Sequence, residues 1–359
     1  MGIPINRSGP DCASPLDKGG LRGVKWWIFA VQSLGNLHRR VLAAIFAIVG
    51  PRLAYRLTGW GARIIYKLLD PLRVRSEAQC RAALQSRIDP KDVPRIAAKS
   101  FVNRARNMTD LMLAPRLLNL RTYERYGGRI PEPFLSELLE DQRRRQPTIL
   151  LTGYYGAFDL LPIFLGYNGI RASAIYLPHS NKGFDDFRRK VRGQSGCDLV
   201  PVNQAATRLG QVLGEGGTVA LVADHHIEDR GTPVKFLGLD TKVSRSVGLL
   251  AWRHEANVVV AVIRRLEETF RFQIVVADVI YSKEAASHPD PVEFVTHRYM
   301  QALEGLILED PTQYLWAYAR WGEDHARRVT EVPDIPTEQG GLKSTAARGI
   351  GNGQPQPHG

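Results

Sequence analysis

The sequence predicts an α/β fold: a mixed, mostly parallel sheet flanked by helices, preceded by a membrane-associated helical region. Three observations carry this. Between residues 146 and 330, short apolar runs alternate with helical stretches, the pattern of strand–helix–strand units. The stretch before it, 21–145, places apolar residues three or four apart with Arg and Lys between them, a helical period. The first part of that stretch mixes Trp and Tyr with many cations, a composition suited to a lipid–water boundary.

The elements follow in chain order. Residues 1–20 are rich in Gly, Pro and Ser, and residues 331–359 show no apolar period; both read as disordered tails. In the helical region the longest apolar run, Val41–Val49, falls well short of the roughly 20 residues a spanning helix needs. Arg39 and Arg40 would sit near the middle of any longer span, at a cost of a few kcal/mol each. In-plane attachment fits better, with Trp26, Trp27, Tyr55 and Trp60 among Arg39, Arg40, Arg52, Arg56, Arg63 and Lys67. The bland alternative is a pair of amphipathic helices packed on the core. The run starts late and lacks a small-residue cleavage site, so it does not read as a signal peptide.

Ser76–Ser86 and Val93–Leu113 have helical spacing, punctuated by Pro90 and Pro115, and Glu140–Pro147 reads as a charged stop. Strands are expected at Thr148–Thr152, Ser173–Leu177, Asp198–Pro201, Thr218–Ala223, Val258–Ile263 and Phe270–Val276. Helices are expected at Phe184–Arg192, Ala205–Gly214 and Ser246–His254. The core and the preceding helices read as one packed unit.

A net charge of +12 favours an anionic partner: a membrane surface or a phosphorylated substrate. Nucleic acid ranks last, because no zinc-finger, helix-turn-helix or RNA-recognition signature appears. Cys12, Cys80 and Cys197 lack paired spacing, which points to a reducing, cytoplasmic setting without a disulfide framework. The sequence has no G-x-S-x-G elbow, phosphate-binding P-loop or G-x-G-x-x-G fingerprint, arguing against those hydrolase, NTPase and dinucleotide-binding classes.

Two strand ends carry candidate chemistry, since ligands of open α/β sheets sit beyond the C-terminal ends of strands. The first reads Gly153-Tyr154-Tyr155-Gly156-Ala157-Phe158-Asp159, with Asp159 expected in the first turn of a helix starting near Ala157. The plain reading is a helix-stabilising Asp beside core tyrosines. The second reads Asp224-His225-His226-Ile227-Glu228-Asp229-Arg230. Acid/base work or substrate orientation, a solvated polar loop, and a metal site are the readings open to it. Metal ranks last, because all its ligands would come from one short loop with no second motif.

These segments, in this order, resemble the bacterial lipid A biosynthesis (lauroyl/myristoyl) acyltransferases over roughly residues 25–325. The family's Gly-His-x-Gly-Asn-Trp-Glu turn aligns with Gly153–Asp159, placing Tyr154 where the family has histidine. Its Tyr-x-Pro-x-x-Asn segment and basic helix resemble Tyr176-Leu-Pro-His-Ser-Asn181 followed by Arg188, Arg189 and Arg192, then Ser195-Gly196. Its Asp-Gln pair resembles Asp224-His225, and its Phe-x-Gly loop with the next helix resembles Phe236-Leu-Gly238 and Ser244–Arg253. Its closing aromatic motif resembles Gln313-Tyr-Leu-Trp-Ala-Tyr318-Ala-Arg320-Trp321, with Tyr318 at a second histidine position.

The resemblance implies a glycerolipid acyltransferase-like core at the cytoplasmic face of the bacterial inner membrane. It implies a donor carried by acyl carrier protein or coenzyme A, and an anionic membrane lipid or glycolipid acceptor, without cofactor or metal. Tyr176, Asn181, Arg188, Arg189, Arg192 and Arg245 fall to substrate binding. In the family, the histidine takes a proton from the acceptor hydroxyl and the carboxylate orients it. An unperturbed tyrosine, with pKa about 10, is a poor base at neutral pH. Our own reading is a compensating swap: His225 or His226 serves as base, with Asp159 or Asp224 orienting it and His179 a third candidate. The swap requires the two strand ends to be neighbours. The alternative is a member that has lost catalysis and binds lipid or acts as a scaffold.

Overall fold

The computed structural model describes residues 46–322 apart from 47, 85–86, 228–230 and 319. Both expected tails, the aromatic and basic run before residue 46, and the Glu228–Arg230 part of the acidic loop lie outside the described residues.

The first helix, α1, covers 48–68. Ala54, Tyr55, Ala62 and Tyr66 are buried at helical spacing, while Leu53, Leu57, Trp60, Ile64 and Leu68 form an exposed apolar stripe along another face. No helix among the described residues is long and apolar enough to cross a membrane. Helix α2 (Asp70–Leu84) packs on α3 (Val93–Leu117). Helix α3 runs past Pro115, expected to end it, because the proline sits in the last turn where one lost hydrogen bond is tolerated.

A buried network fastens α1 to the core. Thr58 Oγ1 lies 2.8 Å from Thr109 Oγ1 of α3. The Tyr55 hydroxyl donates to Asp110, and Asp110 pairs with Arg265 of a distant strand; all three side chains are buried. Arg265 also donates to Asn107 Oδ1 at 2.7 Å.

Helix α4 (Phe134–Arg144) absorbs most of the expected charged stop. Arg143 and Arg144 complement the negative end of its dipole, and Arg145 turns the chain at φ 55°. The alternation then begins: β1 (Thr148–Thr152), α5 (Leu161–Tyr167), β2 (Ala172–Tyr176), α6 (Lys182–Arg192), β3 (Asp198–Pro201), α7 (Ala205–Gly214), β4 (Thr218–Val222). Helix α6 starts two residues before the expected Phe184, because Asn181 caps it, accepting the Phe184 N–H at 3.0 Å.

The hairpin β5 (Gly231–Phe236) and β6 (Leu239–Ser244) is not among the elements expected from sequence. Its two-residue turn, Leu237–Gly238, has positive φ at both positions, and Leu there is an unusual residue for such a turn. Then come α8 (Ser246–Arg253), β7 (Asn257–Arg265), β8 (Phe272–Ile280), the short α9 (Ser282–Ala286) and α10 (Pro291–Glu309).

The main sheet has the order β3-β2-β4-β1-β7-β8, parallel except for β8. Every residue of β1 is buried, as expected for a central parallel strand covered on both faces. One face buries Ile149, Leu151 and Val219 against α7, α8, α10 and the hairpin. The other buries Leu150, Ala220 and Val259 against α1, α3, α4, α5 and α6. The observed architecture is thus the expected mixed sheet between helical layers.

Candidate active site

Strands β1 and β4 are adjacent and parallel, with Thr152 opposite Val222. Their C-terminal ends therefore deliver the 153–158 turn and the 223–227 loop side by side. This is the neighbourhood the base swap requires.

The first turn is pinned from both sides. Gly156 has φ 56°, and a Cβ there would stand 2.0 Å from the Ile263 carbonyl oxygen, so only glycine fits. The Ala157 N–H donates to that carbonyl at 2.8 Å, and the Tyr154 carbonyl accepts the Leu315 N–H at 3.0 Å. Beneath the turn lies Asp224, with no exposed surface. It accepts the Tyr154 N–H at 3.3 Å on each oxygen and the Tyr314 hydroxyl at 3.1 Å. Gly153 makes room for it; a Cβ would come within 3.2 Å of its Oδ2.

Arg320 balances the Asp224 charge. Its guanidinium lies 3.2 Å from Asp224 Oδ2 and also donates to the Asp224 backbone carbonyl. The same guanidinium stands over the rings of Tyr154, Tyr314 and Tyr318 at 5.4, 5.4 and 4.5 Å. A buried carboxylate needs such a partner, and this pair anchors the closing aromatic segment under the site.

On this platform the Tyr154 hydroxyl lies 2.8 Å from His225 Nε2. The two rings meet edge-on at 4.9 Å, and Phe158 also packs edge-on with Tyr154 at 5.0 Å. Tyr318 lies 5.7 Å from Tyr154 and 5.9 Å from His225, so positions 154, 225 and 318 form one contact triangle. Burial pushes the Tyr154 hydroxyl up to about 12, helped by the Asp224 charge and opposed by Arg320 and Arg104. Burial also lowers the His225 imidazole below its ordinary value, with Asp224 opposing and Arg320 reinforcing that shift. At neutral pH the pair is therefore a protonated phenol against a neutral imidazole. With the imidazole proton on Nδ1, Nε2 carries the lone pair and accepts from the protonated Tyr154 hydroxyl.

The remaining candidates separate. The Asp159 carboxylate ion-pairs with the buried Arg192, with Arg188 Nη2 at 3.9 Å, and bonds to neither Tyr154 nor His225. Asp159 holds α6 and does not orient the candidate base. His226 turns away, its Nδ1 2.9 Å from Thr241 Oγ1 of the hairpin. The His179 Nδ1 accepts the Asn181 N–H at 3.0 Å, a local turn contact. Asn181 caps α6, as described, and Tyr176 is buried at the end of β2. Arg189 is exposed, 4.0 Å from Asp186 on the same helix, and Arg245 is exposed at the start of α8.

Sequence reasoning misses Tyr314 and Arg320 as site residues, although the closing aromatic motif that contains them is visible. No cluster among the described residues has three groups able to hold a metal ion. The arrangement can move one proton between a ligand hydroxyl, the phenol and the imidazole.

A family model for the bacterial lipid A biosynthesis acyltransferases matches residues 40–323, most of the chain. No curated protein matches it.

Proposed function

The chain belongs to the bacterial lipid A biosynthesis acyltransferase family, and we propose that Tyr154 and His225 together replace the family histidine as its proton acceptor. The reaction moves a fatty acyl group from a thioester, on acyl carrier protein or coenzyme A, to a hydroxyl of a lipid A-type or other glycolipid acceptor. The observation that carries this reading is the 2.8 Å contact between the Tyr154 hydroxyl and His225 Nε2 at the end of β1 and β4.

The acceptor hydroxyl gives its proton to the Tyr154 oxygen as Tyr154 gives its own to His225 Nε2. The acceptor oxygen attacks the thioester carbonyl carbon, forming a tetrahedral oxyanion. The C–S bond then breaks, and the thiolate recovers the proton from the imidazolium through Tyr154. Tyr154 never carries a full negative charge, which its elevated pKa would forbid at neutral pH. Neutral His225 supplies the driving force for proton acceptance.

Attachment to the cytoplasmic face of the inner membrane completes the proposal. The exposed stripe Leu53, Leu57, Trp60, Ile64 and Leu68 on α1, flanked by Arg52, Arg56, Arg63 and Lys67, supports an in-plane contact with anionic lipid. The test is transfer by purified protein from a panel of acyl thioesters to lyso-glycolipid acceptors. A new acylated product dependent on both substrates supports the reading. Lipid binding without any product favours the non-catalytic alternative.

A further inference from the structure

The closing aromatic segment brings two groups to the relay. Tyr318 completes the contact triangle with Tyr154 and His225, at 5.7 and 5.9 Å, and the Arg320 guanidinium stands over the Tyr154 and Tyr318 rings. The chain bends tightly between them, the Arg320 N–H reaching the Tyr318 carbonyl at 2.8 Å. A bend of this kind has no ladder or helix to fix it, so its place depends on the side chains that grip its backbone.

Two side chains from distant elements do so. Gln79 of α2 has no exposed surface, and this segment engages both ends of its amide. Its Nε2 donates to the Trp316 carbonyl at 2.9 Å, and its Oε1 accepts the Arg320 N–H at 3.2 Å, so the one amide spans Tyr318 from one side to the other. Thr241 of β6, also buried, donates its hydroxyl proton to the Arg320 carbonyl at 3.0 Å. With that proton committed, the His226 Nδ1 at 2.9 Å from the same oxygen is the donor to it. An apolar side chain of similar length at position 79 would fill the same space. It would leave the two backbone groups unsatisfied, and burying a glutamine is otherwise unfavourable.

We infer that Gln79 and Thr241 are positioning residues of the proton relay: they clamp the backbone at Trp316 and Arg320 so that Tyr318 and Arg320 stay seated against Tyr154 and His225. Each acts through the segment it holds. A displacement of about 1 Å at such a site is enough to cost about a hundredfold in rate. The rate effect rests on the acyl-transfer reading, but the seating of His225 can be observed without turnover. His225 is faced by Tyr154, Tyr318, Asp224 and Arg320. Loosening the Arg320 cation, while Asp224 stays beside His225 in the same loop, makes the imidazole easier to protonate.

The test uses the full chain with isotope-labelled histidine rings, followed by NMR, with folding checked by circular dichroism. The His225 signal is assigned by its loss in His225→Gln, and its titration midpoint is read in each variant. The midpoint should rise in Gln79→Met and Thr241→Val, which keep the side-chain shape and remove the backbone contacts. It should stay at the wild-type value in Thr241→Ser, which keeps the hydroxyl. Thr296→Val is the structural control: it removes a buried hydroxyl bonded to the Val292 carbonyl within α10, and should lower stability without moving the midpoint. An unmoved midpoint in either folded variant overturns the assignment for that residue, and an equal rise in Thr296→Val overturns it for both.

In transfer assays, Gln79→Met and Thr241→Val should lose about tenfold or more in kcat with KM within about twofold of wild type, and Thr241→Ser should recover most of the rate. Wild-type kcat in both folded variants also overturns the clamp. Absence of turnover with every substrate pair would defeat the catalytic reading, while the His225 titration would still decide the clamp.

Discussion

Tyr154→Phe removes one oxygen and keeps the ring. The packing of Phe158, His225, Tyr318 and Arg320 around that ring survives. What is lost is the 2.8 Å contact to His225 Nε2, which leaves a largely buried ring nitrogen without its partner. Losing one such bond and stranding its acceptor costs about 1–3 kcal/mol of stability. For a domain of this size that is a fall in Tm of several degrees, well short of unfolding. If the phenol is the relay, kcat should fall about 10²–10⁴-fold, the usual contribution of a positioned proton-transfer group, while KM changes little. The assays are a thermal melt and single-turnover acyl transfer on the same preparation. A Tyr154→Phe protein that melts slightly lower but transfers at the wild-type rate would refute the relay and leave His225 acting on the acceptor directly.

Other expectations follow from the same geometry. His226→Ala should keep transfer within about twofold of wild type, since His226 bonds to Thr241 away from Tyr154; a drop resembling a general-base loss would return it to the mechanism. Asp110→Ala should destabilise the fold by about 3–5 kcal/mol in urea titrations, because it strands the buried Arg265 and Tyr55 that fasten α1; a loss below about 1 kcal/mol would mean the network contributes little. Leu57→Glu with Trp60→Glu should reduce binding to anionic vesicles more than tenfold, through lost apolar insertion and added negative charge. Unchanged co-sedimentation would move the membrane contact elsewhere.

Much of the architecture is legible because it rests on short-range pattern. The apolar runs at β1, β3 and β4 and the basic helix α6 stand in the sequence almost as they fold. The hairpin β5–β6 is not, because its turn carries Leu237 where Asn or Gly would signal it. Helix α10 goes unread even though Asp290 and Pro291 form a recognisable start, with Asp290 accepting the Glu293 N–H at 2.9 Å.

Within the site, the meeting of Tyr154 and His225 follows from the adjacency of β1 and β4, a long-range pairing that the swap required and that no local pattern gives. Nor could the fate of Asp159 be read. Its carboxylate is claimed by Arg192, which lies four residues beyond Arg188 and so on the same face of α6. Sequence gives that shared face but not which of the two arginines reaches the acid. The Tyr55–Asp110–Arg265 network joins residues 55 and 155 positions apart, and no local pattern marks it.

The most direct test of the central claim is the pH dependence of kcat/KM for wild type and His225→Gln. Burial holds the His225 pKa below its ordinary value of 6.5, so the imidazole becomes protonated only as pH falls beneath that point. Wild type should therefore show level activity at neutral pH with an acid limb below 6.5, and no alkaline loss from Tyr154 short of about 12. Transfer by His225→Gln should drop at least about a hundredfold, and the limb should disappear from any residual rate. A glutamine variant with wild-type turnover and an unmoved acid limb would contradict the account.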